Sequence, residues 1–275
     1  PHLPCFPAEP FASRIAPDQV PSWGSFGETF EGKPYIQQQQ LYSWGIEALT
    51  WDEWSVYVAR YLGMLAQIDD AIGRVLGALD ELGQAENTLV IYSTDHGDNT
   101  GSHRLIDKHY VMYDDVVHVP LLLRWPARFG AGVTRDEFVV HALDLATTIC
   151  EATGLPVPEA YAGRSLMPLC CDEQPPDWRQ DVVAVYNGAQ FGLFMQRMLR
   201  DRHWKYVWNP TDVDELYDLQ ADPWELHNRI ADAACADVLR ELRQRLLTQL
   251  IAQGDALVRT DWTRVQLSEG RKLVR

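Results

Sequence analysis

The chain has 275 residues, 46% hydrophobic and 23% charged, with 18 Gly and 16 Pro, a globular composition that excludes disorder, collagen and coiled coil. Lys and Arg total 24 against 39 Asp and Glu, a formal charge of −15. So acidic a surface repels phosphodiester backbones and anionic lipid, which makes nucleic acid and membrane poor partners. The longest apolar runs, such as residues 88–92 and 119–123, fall far short of the ~20 residues of a spanning helix.

Residues 1–50 are rich in Pro, Gly, Gln and aromatics, include the run Gln37 to Gln40, and show no sustained period, so an irregular lead-in is expected. The start at Pro1, with neither an initiating Met nor a leader, suggests that an upstream part was removed or that this is a piece of a longer polypeptide. Thr50 precedes Glu53 in a capping-box arrangement. Apolar residues from Trp54 to Leu82 follow at helical spacing until Gly83, which predicts one long helix.

Residues 88–94 and 119–124 read as short buried strands, and residues 142–153 as a helix ending before Gly154. Alternation of this kind predicts a parallel α/β sheet with ligands at the carboxyl ends of its strands. From about Pro175 the texture changes. Short strands at 182–186, 196–200 and 203–208, then a helix at 236–253 with Val238, Leu239, Leu242, Leu246, Leu247 and Leu250 on one face, predict a small antiparallel sheet with one covering helix. Residues 255–275 read as a mildly basic, solvated strap. The expected division is thus 1–50, 51–174, 175–254 and 255–275.

The five cysteines, Cys5, Cys150, Cys170, Cys171 and Cys235, show no CxxC spacing, so neither a disulfide framework nor a zinc knuckle is suggested, and a reducing, cytoplasmic setting is the expectation. Chemistry is most concentrated at Asp95-His96-Gly97-Asp98, where a strand ends, followed by Gly101, His103 and Lys108. Asp and His are good ligands for a divalent cation, and adjacent ligands reach one ion where the backbone turns. Two such residues alone do not make a metal site and better suit a loop cap.

The run Ser93 to Asp115, with Val119-Pro120-Leu121 and Arg124-Trp125-Pro126 after it, resembles the type I sulfatases of the alkaline phosphatase superfamily. Pro1-His2-Leu3-Pro4, Ile68 to Arg74, Gly163-Arg164-Ser165-Leu166 and Glu215 to Leu219 continuing to Asp222-Pro223 match the same family in order. The resemblance implies the C-terminal portion of such a hydrolase: the later part of an alkaline-phosphatase-like α/β domain plus the small antiparallel subdomain.

It implies Asp95 and His96 as two ligands of one divalent cation, Ca2+ first, with Mn2+ or Zn2+ as alternatives. Lys108 matches the lysine at the leaving oxygen and His2 the histidine facing the scissile ester. His103 is expected to reach the substrate or to orient Asp98 or His96. His109, His118 and His141 read as structural. The implied substrate is a small sulfate ester, with a phosphate or phosphonate ester as the near alternative, and a non-catalytic remnant or binding module as the reading from another class. Trp23, Tyr35, Tyr42, Trp44 and Phe191 suggest an apolar alcohol portion or core filling.

The family's Cys/Ser-x-Pro-x-Arg nucleophile motif, whose Cys becomes formylglycine, has no match in these residues. Cys5-Phe6-Pro7-Ala8 imitates it but carries Glu9 in place of Arg. Asp69-Asp70 imitates a metal pair but falls inside the long helix. The expectation is that the nucleophile half of the site comes from a missing N-terminal part of the fold, that this chain alone is inactive, and that self-association is open to it.

Overall fold

The thirty-one residues of helix α2, Trp51–Glu81, form the longest element of the chain. Its start is fixed by the Glu53 carboxylate, which accepts from both the Thr50 backbone N–H, at 2.8 Å, and the Thr50 hydroxyl, at 2.9 Å. At the other end Gly83 adopts φ +64°, the left-handed stop that a glycine supplies at least cost. The computed structural model describes residues 1–188 and 193–272, so Phe191 and Arg275 lie outside the described residues. Among them no helix is long and apolar enough to cross a membrane.

The elements in chain order are α1 (Tyr35–Trp44), α2, β1 (Val90–Ser93), α3 (Asp114–Val117), β2 (Leu121–Arg124), α4 (His141–Ala152) and α5 (Met167–Cys170). Then come β3 (Val182–Asn187), β4 (Met195–Arg200), β5 (Trp204–Trp208), β6 (Glu215–Asp218), α6 (Ala236–Ala252) and α7 (Asp261–Ser268). The chain forms two compact units, each discontinuous in sequence. One holds residues 1–20, 56–97 and 118–180, the other residues 21–55, 98–117 and 181–275.

In the first unit β1 and β2 pair antiparallel, Val90 opposite Arg124 and Ser93 opposite Leu121. The expected parallel pairing is corrected for these strands. Both are apolar and β-branched or leucine-rich, and such a composition reports burial and extension but carries no information on direction. Leu121 and Leu123 alternate onto one face and pack with Leu166, Leu169, Trp178, Val139 and Leu145. The polar hub beneath them is Asp144, fully buried, which accepts from the backbone N–H groups of Val140 and Arg164, each at 2.7 Å. Arg179 grips the same carboxylate with two guanidinium nitrogens.

In the second unit β3, β4, β5 and β6 form an antiparallel meander. Alternate residues of β4 and β5 face opposite sides: Leu199 and Tyr206 pack under α6 with Leu242, Leu246 and Leu250, while Met198 and Val207 pack with Met112 and Val117. Both faces are covered, which explains why neither strand alternates with polar residues. Two expectations are corrected here. Residues 35–44 of the lead-in are helical, and they lacked a hydrophobic period because two of the three residues that α1 buries are Gln37 and Gln40. The tail is no solvated strap, since α7 seats Leu267 in the same core as Val258 and Leu250.

Candidate active site

Asp95 and His96 follow β1 directly, in the first unit. The His96 Nδ1 lies 2.8 Å from the Gly97 carbonyl oxygen, which can only accept, so Nδ1 carries the hydrogen and Nε2 presents its lone pair when the ring is neutral. That Nε2 faces Asp95 Oδ2 at 3.5 Å. Two acceptors facing each other at this distance suit a shared cation, either a proton on the ring or a metal ion. The donor set therefore fits a divalent cation, although among the described residues no third His, Cys, Asp or Glu joins it. A slight burial works against ionisation of Asp95. The His96 ring and the backbone N–H groups of Asp95 and His96 outweigh it and hold the carboxyl below its ordinary range. His2, in the same unit, is exposed, with Nδ1 2.8 Å from the Leu3 carbonyl oxygen.

Lys108 and His103 belong to the second unit, in the segment 98–117. Five non-glycine residues there take left-handed backbone: Thr100, His103, Arg104, Asp107 and Tyr110, with φ between +44° and +65°. Such conformations persist only when the surroundings over-determine them, and they concentrate at functional sites. Lys108 Nζ lies 3.1 Å from Asp107 Oδ1, and the other oxygen of that carboxylate lies 3.2 Å from His109 Nε2.

His103 does not take Asp98 or His96 as its partner. Its ring is 1% exposed, stacks on Tyr113 with centroids 3.6 Å apart, and places Nδ1 2.8 Å from Glu28 Oε2. Burial pushes its pKa down despite the Glu28 bond, which keeps the imidazole neutral and makes it the donor to that carboxylate. Asp98 instead accepts from the Thr100 backbone N–H and hydroxyl, both at 2.9 Å. The expectation that His103 orients Asp98 or His96 is corrected, because its Nδ1 is taken by Glu28.

That contact belongs to a larger cluster. Glu28 also pairs with Lys33, whose ammonium donates to the Tyr113 hydroxyl at 3.0 Å and to the Glu225 carbonyl at 2.7 Å, and lies over the Tyr113 and Tyr217 rings. Burial opposes the charge on Glu28, but His103 and Lys33 hold its pKa down. Tyr113 donates to Gln37, which donates to Glu215. Sequence reading missed Glu28, Lys33, Gln37 and Gln40. The one available signal was Gln37 and Gln40 three positions apart, the spacing of one helix face.

With this geometry in place, two family profiles match: the C-terminal region of N-sulphoglucosamine sulphohydrolase over residues 101–253, and the sulfatase profile over residues 21–155. The chain belongs to the sulfatase family. Over 211 residues this sulfatase chain is 30% identical to the multifunctional alkaline phosphatase superfamily protein PehA of Trinickia caryophylli, covering 72% of the chain and 41% of that protein. It is 31% identical to the N-acetylglucosamine-6-O-sulfatase of Bacteroides thetaiotaomicron, covering 74% of the chain and 37% of that enzyme. The chain thus spans about two fifths of the curated relatives it matches. The fold is similar to that of a phosphonate monoester hydrolase from Silicibacter pomeroyi, with TM-score 0.82 and 26% identity over 94% of this chain and 56% of that one. The α/β architecture expected from the sequence is therefore that of the sulfatase and alkaline phosphatase superfamily.

Proposed function

We propose that this chain is the C-terminal portion of a hydrolase that cleaves a sulfate ester of a small molecule with the help of one divalent cation, calcium first among the candidates. The observation that carries this reading is the pairing of Asp95 Oδ2 with the His96 Nε2 lone pair, set by the Nδ1 anchor on Gly97, within a segment that matches the family motif. When bound, the cation supplies Lewis acidity to the ester oxygens. Asp95 and His96 would hold it. Lys108 neutralises charge on the leaving oxygen, and His2 delivers a proton to that oxygen as it departs. The nucleophile comes from outside these residues, so this chain alone is expected to show no turnover.

A second reading, hydrolysis of a phosphonate or phosphate ester, is favoured by a specific finding. Solved phosphonate monoester hydrolases share 26% and 28% identity with this chain. Assays of the natural enzyme that contains this chain on phenyl sulfate and phenyl phosphonate separate the two. In that enzyme Asp95→Ala should remove bound metal and activity together, while Lys108→Ala should keep the metal and lower the rate. Normal metal content after Asp95→Ala would leave Asp95 and His96 as a loop cap.

A further inference from the structure

Lys108 follows two backbone carbonyls that are both gripped by buried side-chain amides. Gln40, on α1, donates from Nε2 to the Ile106 carbonyl at 2.7 Å. Asn99 donates twice to the Asp107 carbonyl, from Nδ2 at 2.6 Å and from its backbone N–H at 2.9 Å. Gln40 is 3% exposed and Asn99 2% exposed. The orientation of each amide is fixed by chemistry, because only the NH2 end can donate to a carbonyl oxygen.

The opposite ends of these amides sharpen the point. Gln40 Oε1 and Asn99 Oδ1 are buried, and among the described residues neither accepts a hydrogen bond. A buried acceptor left unpaired is costly, and an apolar side chain of similar shape would avoid that cost. The amides are thus not what packing alone would select. What they secure is the backbone at Asp107, whose φ of +65° is unfavourable for a non-glycine residue and sits immediately before Lys108. The Asp107 carboxylate then adds a contact to the lysine ammonium at 3.1 Å.

We propose that Gln40 and Asn99 are positioning residues for Lys108: they clamp the carbonyls of Ile106 and Asp107 so that the lysine stem leaves the backbone in one direction. This rests on the reading that Lys108 meets the leaving oxygen. Misplacement of a charge-stabilising group by about 1 Å is enough to cost a large factor in rate, so a clamp two bonds from the lysine backbone bears directly on catalysis. Loss of a residue that acts this way lowers kcat through Lys108 and leaves substrate binding alone.

The test uses the natural enzyme that contains this chain and a series of phenyl sulfates whose phenols span a range of acidity. Lys108→Ala should steepen the dependence of kcat on leaving-group acidity. Gln40→Met and Asn99→Leu, which keep bulk and remove the donor, should steepen it in the same direction, with kcat down about tenfold on the poorest leaving group, little change on the best, and KM unchanged. Combined with Lys108→Ala, either variant should cost almost nothing more. Equal losses on every leaving group, or losses that multiply with that of Lys108→Ala, would overturn the proposal and leave the amides as structural residues. A flat response to Lys108→Ala itself would instead overturn the role of Lys108, and the proposal with it. Should an apolar variant not fold, Gln40→Glu keeps the shape and exchanges the donor for an acceptor, and the same change in slope is expected of it; an unchanged slope there also counts against the clamp.

Discussion

Asp95 and Lys108 are held in opposite ways. The Asp95 side chain is 84% exposed and its neighbours are the residues beside it in sequence, whereas the segment carrying Lys108 is anchored by a cluster in which the Glu28 and Lys33 side chains are 1% and 0% exposed. An exposed pair of acceptors contributes little to the fold and remains available to a cation. A loop with five left-handed non-glycine residues needs distant partners to persist, and here they come from residues 28–40, far away in sequence. The lesson is that ligand chemistry can be local while the geometry of a catalytic loop is a property of its packing.

The largest expected effect tests the buried side of this contrast. Lys33→Met removes the cation that faces Glu28, Tyr113 and the Glu225 carbonyl, leaving a buried carboxylate with His103 and the Phe30 N–H as its partners. Breaking such a pair should destabilise the protein by about 3 kcal/mol, read from the urea midpoint. Asp95→Ala should change stability by less than about 0.5 kcal/mol. Comparable values for the two variants would erase the contrast.

A second, smaller effect asks whether the first unit as a whole is lightly held. A Cβ at Gly163 would lie 2.1 Å from the Leu143 carbonyl oxygen, a contact no side chain tolerates, while the next residue donates its backbone N–H to Asp144. Gly163→Ala should therefore cost roughly 1–3 kcal/mol by overpacking. A neutral result would mean that the Asp144 hub yields easily, and that looseness is general in this unit rather than confined to the Asp95 loop.

How far the sequence carried the reading follows from the same contrast. The α2 helix was legible because its apolar period and its Thr50–Glu53 start are local signals, and the Asp95-His96 and Gly163 motifs were legible as family words. The direction of β2 against β1 was not, since apolar strands read alike either way. Nor was α1, whose buried face is made partly of glutamines. Glu28 and His103 are 75 positions apart, and nothing in either neighbourhood announces the other. The cluster that fixes the Lys108 segment lives in long-range polar contacts, which leave no period in a sequence.

A pH-dependent effect should come from Glu225. Burial pushes its pKa up to about 7, partly opposed by Lys205 and reinforced by Asp114, which keeps its own charge through Lys205 and Arg200. A carboxyl with a folded pKa near 7 and an ordinary value of 4.5 binds more protons in the folded state between those limits. Stability from this group therefore grows as pH falls from 7 toward 4.5, by at most about 1.4 kcal/mol per unit, and is lost as pH rises through 7. Burial of neutral His103 works in the opposite sense, but it is common to the wild type and Glu225→Gln. The difference in Tm between them should thus turn against Glu225→Gln on going from pH 8 to pH 5. A constant difference would show that Glu225 does not titrate in this window.

The smallest effect belongs to the exposed side. Two donors in a row, without a third among the described residues, should bind a hard cation only weakly, because each charged ligand removed from such a site sacrifices attraction. Binding to the folded state alone stabilises by RT ln(1 + [L]/Kd), so about 5 mM Ca2+ against a Kd of the same order should give roughly 0.4 kcal/mol, a shift of about a degree in Tm. Asp95→Ala should abolish that shift and Lys108→Ala should leave it intact. A shift that survived Asp95→Ala would place the cation elsewhere on this acidic surface and deprive the Asp95–His96 pair of its role, while tight binding by this chain would mean that further ligands complete the site.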